Sequence, residues 1–194
     1  MPRYFSIHKP FNVLSQFTSQ EGKHSLKDLF KFPVDAYPVG RLDYDSEGLL
    51  IITNDKSLNH KLLDPSFGHE REYWVQVDGA ITSDALGLLT KGVQISIDGK
   101  MHHTKPAIAS IFQSPPIVSD RNPPVRFRKN IPTSWISLTL SEGKNRQVRK
   151  MTAAAGFPTL RLIRYRIAGV TLDNMPPGAF TEWNRNDLFA LLGL

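Results

Sequence analysis

The run Gly48-Leu49-Leu50-Ile51-Ile52-Thr53 constrains this chain more than any other stretch. It has the length of a strand, shows no polar alternation and follows a loop dense in acids. A strand without alternation has no face fit for water, so the run predicts a central strand buried on both faces. Asn54-Asp55 ends it and provides the cap of a helix reaching about Leu63, with Pro65 as the stop.

The remaining pattern supplies partners for that strand. Tyr4 to Ile7 reads as a short strand stopped by His8-Lys9-Pro10, and Ser25 to Phe30 as a short helix. Tyr73 to Val77 is rich in strand formers and is closed by Asp78-Gly79. Ser83 to Lys91 predicts a helix with Leu86, Leu88 and Leu89 facing a core. Val93 to Ile97 and Met101 to Phe112 flank an Asp98-Gly99 hairpin turn. Ser114 to Thr133 holds Pro115, Pro116, Pro123, Pro124 and Pro132, so it is a long loop, a kind that tends to be functional. Trp135 to Leu140 is a strand, and Asn145 is placed to cap a helix to Ala155 that Gly156 and Pro158 end. Leu160 to Tyr165 and Val170 to Leu172 are strands, and Asn184 caps a last helix through Leu192. Strands and helices intermix without a βαβ rhythm. The fold class is α+β, with a mostly antiparallel sheet flanked by helices. Its 194 residues suit one sizeable core or two fused halves.

Charge is unevenly placed. Arg121 to Arg166 contains eleven basic residues and a single acid, Glu142, which is the footprint expected for a phosphate backbone. With no cysteine there are no disulfides, thiolate zinc sites or cysteine nucleophiles, which fits a reducing cytoplasm. The N-terminus has no signal-peptide core, and no apolar run approaches the roughly 20 residues needed to cross a bilayer. On a helical wheel Arg146, Arg149, Lys150 and Ala153 share one face, while Val148, Met151, Thr152 and Ala155 share the other. Cations in a first helical turn oppose the helix dipole, so an anion is expected nearby.

Gly40-Arg41-Leu42-Asp43-Tyr44-Asp45-Ser46-Glu47-Gly48 sets three carboxylates just before the buried strand. Taken as residues alone, four readings compete. They are a carboxylate pair for glycoside hydrolysis, an Asp-x-Asp divalent-cation site, a lone aspartate nucleophile beside an arginine, and a solvated polar turn. His102-His103 with His60 or His69 lacks convincing zinc spacing.

The segment Gly40-Arg41-Leu42-Asp43-x-x-Ser46-x-Gly48-Leu49-Leu50-Ile51-x-Thr53-Asn54 resembles the catalytic motif of the ribosomal small-subunit pseudouridine synthase A family. His8-Lys9-Pro10 resembles its Asn-Lys-Pro motif, with His in place of the commoner Asn. Glu72-Tyr73 followed by Val75 resembles the segment of its active-site tyrosine. Glu142 to Met151, continuing to Leu160-x-Leu162-x-Arg164, resembles its third motif. The resemblance implies a pseudouridine synthase fold with a catalytic cleft across the sheet. It implies an enzyme that isomerises a uridine in ribosomal RNA without metal or cofactor, by attack at C1′, elimination through a glycal, or attack at C6. It makes Asp43 the nucleophile, Arg149 the cation that keeps Asp43 ionised (helical spacing alone admits Arg146 equally), Tyr73 the ring beside the uracil and Leu162 an apolar wall. Asp45 and Glu47 are left to shape the loop. Arg41, Arg121, Arg126, Arg128, Lys129, Lys144, Arg146 and Lys150 are then the RNA-binding candidates. The chain reads as a single catalytic domain over 1–194, or two fused subdomains, with no S4 domain before it. That, with Arg121-Asn122-Pro123-Pro124 and Ile131 to Trp135, points to members that act on large-subunit 23S rRNA or an assembly intermediate. The expected agent is a cytoplasmic monomer needing no protein partner. The rival readings are a non-catalytic rRNA-binding or assembly factor and a metal-dependent enzyme acting on sugars.

Overall fold

The structure is a computed structural model and describes residues 1–18, 20–126 and 128–194. The long proline-rich loop therefore includes one position, Phe127, outside the described residues. The chain forms two compact units, Met1–His69 with Ile163–Leu194, and Glu70–Leu162.

The first unit opens with β1 (Tyr4–Lys9), two residues longer than expected. His8 and Lys9 stay extended because they pair with Leu49 and Gly48 of the central strand, and pairing overrides the approach of Pro10. Short β2 (Val13–Leu14) and β3 (His24–Ser25) pair in parallel. The expected helix from Ser25 contracts to a single 3-10 turn, Leu26–Asp28, with the Ser25 amide donating to the Asp28 carboxylate at 2.8 Å. Phe30 leaves it to pack on Phe180, ring centroids 3.9 Å apart. After β4 (Tyr37–Pro38) comes β5 (Glu47–Thr53), buried at every position as its sequence requires. Asp55 caps α1 (Lys56–Leu63) by accepting from the Ser57 and Leu58 amides. Pro65 forces Asp64 into extended backbone, and the helix stops.

The second unit begins with β6 (Arg71–Asp78), followed by α2 (Ser83–Lys91). Ala85 and Leu89 enter the core and Leu86 is half-buried, but Leu88 is 49% exposed, so that core assignment is corrected. The buried stripe runs through 85, 86 and 89, and 88 lies about 100° from 89 around the helix, on the outer side. The hairpin exists as β7 (Gln94–Ile97) and β8 (Lys100–His103), with Asp98 and Gly99 both at positive φ. Its second arm does not run on to Phe112. The chain breaks around Pro106, which has no amide to give a ladder, and β9 (Ile108–Ile111) pairs with β10 (Thr133–Leu140) instead. The order here is β6-β10-β9, all antiparallel. Between β9 and β10 the described residues carry no strand or helix. α3 (Gln147–Ala154) starts one residue later than a capping Asn145 would set it. Arg146 holds the cap position in left-handed backbone (φ 52°) and gives no side-chain cap. Val75, Val77, Leu89, Ile136, Leu138 and Met151 are fully buried at the centre of this unit, each contributing about 1.5–3 kcal/mol through burial.

The chain returns to the first unit within β11 (Thr159–Ile167), followed by β12 (Val170–Thr171), β13 (Phe180–Trp183) and α4 (Arg185–Leu192), which Asn184 caps. The sheet of this unit runs β13-β1-β5-β11, with β4 on β5 and β12 on β11. Among its described pairings only β5 and β11 run in parallel, so the sheet is mixed but mostly antiparallel. β13 has no counterpart in the sequence pattern, because an edge strand reading Phe-Thr-Glu-Trp carries no apolar run to signal it. Among the described residues no helix is long and apolar enough to cross a membrane.

Candidate active site

Asp43 sits on a turn closed by the Ser46 amide donating to the Asp43 carbonyl at 3.1 Å. The turn is held from outside as well. The buried Ser15 hydroxyl donates to the Leu42 carbonyl at 2.8 Å and accepts from the Leu42 amide at 3.1 Å. The Asn12 amide donates to the Tyr44 carbonyl at 2.9 Å. A loop fastened on both sides of residue 43 holds that residue's backbone in place, the support that positioned chemistry needs. The solvated-turn reading does not describe this loop. Glu47 is 2% exposed at the start of β5, and Asp43 and Asp45 are half-buried.

Beneath these acids lies Lys9, fully buried, donating to the carbonyls of Pro10 at 2.9 Å and Val13 at 2.7 Å. Burial pushes its ammonium down from the ordinary 10.5 to about 7, with the Arg164 guanidinium adding to the depression, while Glu47, Asp45 and Asp43 pull the other way. No periodicity marks a lysine as buried, and only its pairing with Gly48 places it under the acidic loop. Its folded value lies below its unfolded one, so between about pH 7 and 10.5 the unfolded chain holds a proton that the folded chain has released. Stability from this group therefore rises with pH across that window, by a slope of up to about 1.4 kcal/mol per pH unit. Lys9→Met should remove that slope, read as urea midpoints at several pH values. Parallel pH dependence in the two proteins would contradict a buried, titrating Lys9.

β11 fixes the far side of the loop. Arg164, 5% exposed, donates from Nε to the Leu49 carbonyl at 2.8 Å and pairs in register with Gly48. Gly48 has φ 119°, and a Cβ placed there would overlap the Arg164 backbone.

Tyr73, Arg149 and Leu162 belong to the second unit. Tyr73 is half-buried on β6 and packs against the core cluster that holds Leu162, Val148 and Met151. One core thus brings together Tyr73, Leu162 and the apolar side of α3. Leu162, 6% exposed, is part of that core. Arg149 is half-buried with its Nε enclosed, and Arg146 is exposed. The start of α3 is held by residues that residue type and spacing do not single out. Gln147, buried, donates to Glu142 at 2.7 Å and accepts from the Lys144 amide at 2.9 Å. Glu142 also accepts from the Lys105 amide at 2.8 Å and lies 3.3 Å from His102. Burial would push the Glu142 carboxyl up, but the bonds from Lys105, Gln147 and His102 outweigh it and hold it below the usual carboxylate range.

Among the RNA-binding candidates, Arg41, Arg126, Arg128, Lys129, Lys144 and Arg146 are exposed and Lys150 is half-buried. Arg121 is engaged inside its own loop, donating to the carbonyls of Pro123, Pro124 and Leu160. Arg128 pairs with Asp78. Among the described residues no group of three or more His, Cys, Asp or Glu side chains is arranged to hold a metal ion.

A sequence model described as RNA pseudouridylate synthase matches residues 3–154, most of the chain. The chain belongs to that family. The family's matched span carries the fastened Asp43 loop, Tyr73 and α3 with Arg149. The ribosomal large subunit pseudouridine synthase E of Vibrio parahaemolyticus is 50% identical over 177 residues, covering 91% of this chain and 71% of that protein. The synthase of the same name from Xanthomonas axonopodis pv. citri is 47% identical over 173 residues, 88% of each. A crystal structure of a pseudouridylate synthase superposes with a TM-score of 0.77 at 25% identity, covering 98% of this chain and 74% of that one. The small-subunit family name that the motifs suggest is thus too narrow, since these relatives carry large-subunit names. The enzyme class and the pseudouridine synthase fold stand.

Proposed function

We propose that this protein isomerises one uridine of large-subunit 23S ribosomal RNA to pseudouridine, with Asp43 as nucleophile. The observation that carries the reading is the match of the Asp43 loop to the family's catalytic motif, on a turn fastened by Ser15 and Asn12. Relatives at half identity named for the large ribosomal subunit support the choice of RNA. In the reaction the C1′–N1 bond breaks, the uracil turns, C5 joins C1′, the C5 proton leaves and N1 ends protonated. Atoms balance on one substrate, so the reading asks for no cofactor. An aspartate must stay ionised where water is excluded, which burial opposes, so a compensating cation is needed, and Arg149 is proposed for that role. Tyr73 is proposed to lie beside the base, as stacking of an extruded nucleotide favours, and Leu162 at its edge. Extruding a paired uridine costs a few kcal/mol, which contacts from Arg41, Arg126, Lys129, Lys144, Arg146 and Lys150 to the RNA backbone are proposed to offset. The protein is proposed to act as a monomer.

Mapping pseudouridines in 23S rRNA from cells lacking this protein tests the reading. One position should revert to uridine and return on complementation. An unaltered map would overturn the reading.

A further inference from the structure

The proline-rich loop before β10 keeps its shape with its own arginines. Arg121 Nε donates to the Pro123 carbonyl at 2.8 Å, and its terminal nitrogens reach Pro124 and Leu160 at 3.1 and 3.4 Å. Arg161, 6% exposed, donates to the Ser119 carbonyl at 2.8 Å, and Arg128 is paired with Asp78. These guanidinium bonds tie down a segment whose described residues carry no strand or helix. Arg126 and Lys129 differ. Both are exposed, and among the described residues neither has an ion-pair partner.

Between this loop and the strands β6, β10 and β11 is a cavity of about 480 Å³. A phosphate ion would leave most of it empty, while small-molecule sites span roughly 300–1,000 Å³. Arg126 and Lys129 line it together with the apolar side chains of Val125, Ile131 and Leu160, and Gln76 adds an amide that can donate and accept. Cations beside an apolar wall and an amide suit a phosphate joined to a base. Gln76 and Asp78 alternate with the core residues Val75 and Val77, so they leave β6 on the face opposite Tyr73. The cavity is therefore not the place assigned to the reacting uracil.

We propose that this cavity receives a second, unpaired nucleotide of the RNA, its phosphate on Arg126 and Lys129 and its base against Val125, Ile131 and Leu160. The inference rests on the RNA-modifying reading and extends it: the enzyme selects its substrate partly by a displaced base that it does not modify. The bonds Arg121 makes within the loop lower the ordering needed on binding.

The test compares affinities of the full chain for two labelled strands of equal length and charge, an oligocytidylate and an abasic phosphodiester. The first holds no uridine and so cannot turn over. The native protein should prefer the base-bearing strand by about fivefold or more. Val125→Ala with Ile131→Ala should bring that ratio to about one without altering the salt slope. Arg126→Ala with Lys129→Ala should weaken both strands and flatten the slope of log K against log salt by about 0.7, the share of the one phosphate they hold. Ile131 is 41% exposed and Val125 half-buried, so unchanged thermal midpoints will show that the apolar variants still fold. Equal affinity for the two strands, or a base preference that survives the apolar changes, overturns the proposal. A flattened slope with no base preference means a phosphate track only, and also overturns it. Failure of the synthase reading appears elsewhere, as an unaltered pseudouridine map with these affinities unaffected.

Discussion

Asp43→Asn should abolish pseudouridine formation, lowering the rate by on the order of 10⁴-fold or more, the scale on which loss of a nucleophile acts. The substitution is nearly isosteric and spares the backbone bonds that hold the turn, namely Ser46 to Asp43, Ser15 to Leu42 and Asn12 to Tyr44. The loop should therefore keep its place, and affinity for rRNA should change less than about threefold, because phosphate contacts carry most of that affinity. Removing one of the three carboxylates that favour the Lys9 ammonium should further depress its protonation, a modest cost in stability. Release of tritium from RNA labelled at uridine C5 reads the chemistry directly, since that hydrogen is lost in the isomerisation. Substantial release by Asp43→Asn, with RNA bound normally, would remove the aspartate from the mechanism. Loss of release together with loss of binding would instead indicate a damaged fold, and a thermal midpoint separates the two.

Gly48→Ala should be the most destabilising small substitution in the first unit, leaving little folded protein. Two independent constraints meet at this residue. Its φ of 119° is one that side-chain-bearing residues rarely adopt, at a cost of about 1–3 kcal/mol. A Cβ there would also come within 3.0 Å of the nitrogen, carbon and oxygen of the Arg164 backbone, and a paired strand cannot swing aside as a flexible side chain can. Together they should cost on the order of 4 kcal/mol or more, a large part of an ordinary domain's stability. Gly22 is a suitable control. It has φ 70° but open space around its missing Cβ, so Gly22→Ala should show only the backbone penalty. Chemical denaturation of the two variants checks the difference. If Gly48→Ala were no worse than Gly22→Ala, the parallel pairing of β5 with β11 would be in error.

The central strand, the Asp55 and Asn184 caps and the hairpin turn at Asp98-Gly99 were legible because each depends on neighbours within a few residues. The start of α3 was not. Asn145 is an ordinary cap by type, yet the buried Gln147–Glu142 pair, anchored by the distant Lys105 amide, sets the backbone instead. β13 escaped for a similar reason, since its pairing with β1 joins residues about 180 positions apart in a segment with no apolar signal. Arg121 shows the same limit in the candidate site. By type it belongs with the phosphate ligands, but the fold sets three carbonyls around it.

The sequence by itself determined the buried central strand, the mixed α+β class and the ordered motifs that place this chain in its family. These are properties of residue type and spacing, and apolar periodicity and turn chemistry act locally. Only the tertiary structure decided that Lys9 lies buried beneath the acidic loop, that Gly48 must be glycine because Arg164 crosses it, and which arginines bind their own backbone. Each of these depends on segments distant in sequence being brought within a few ångströms, where desolvation and steric overlap outweigh local preference.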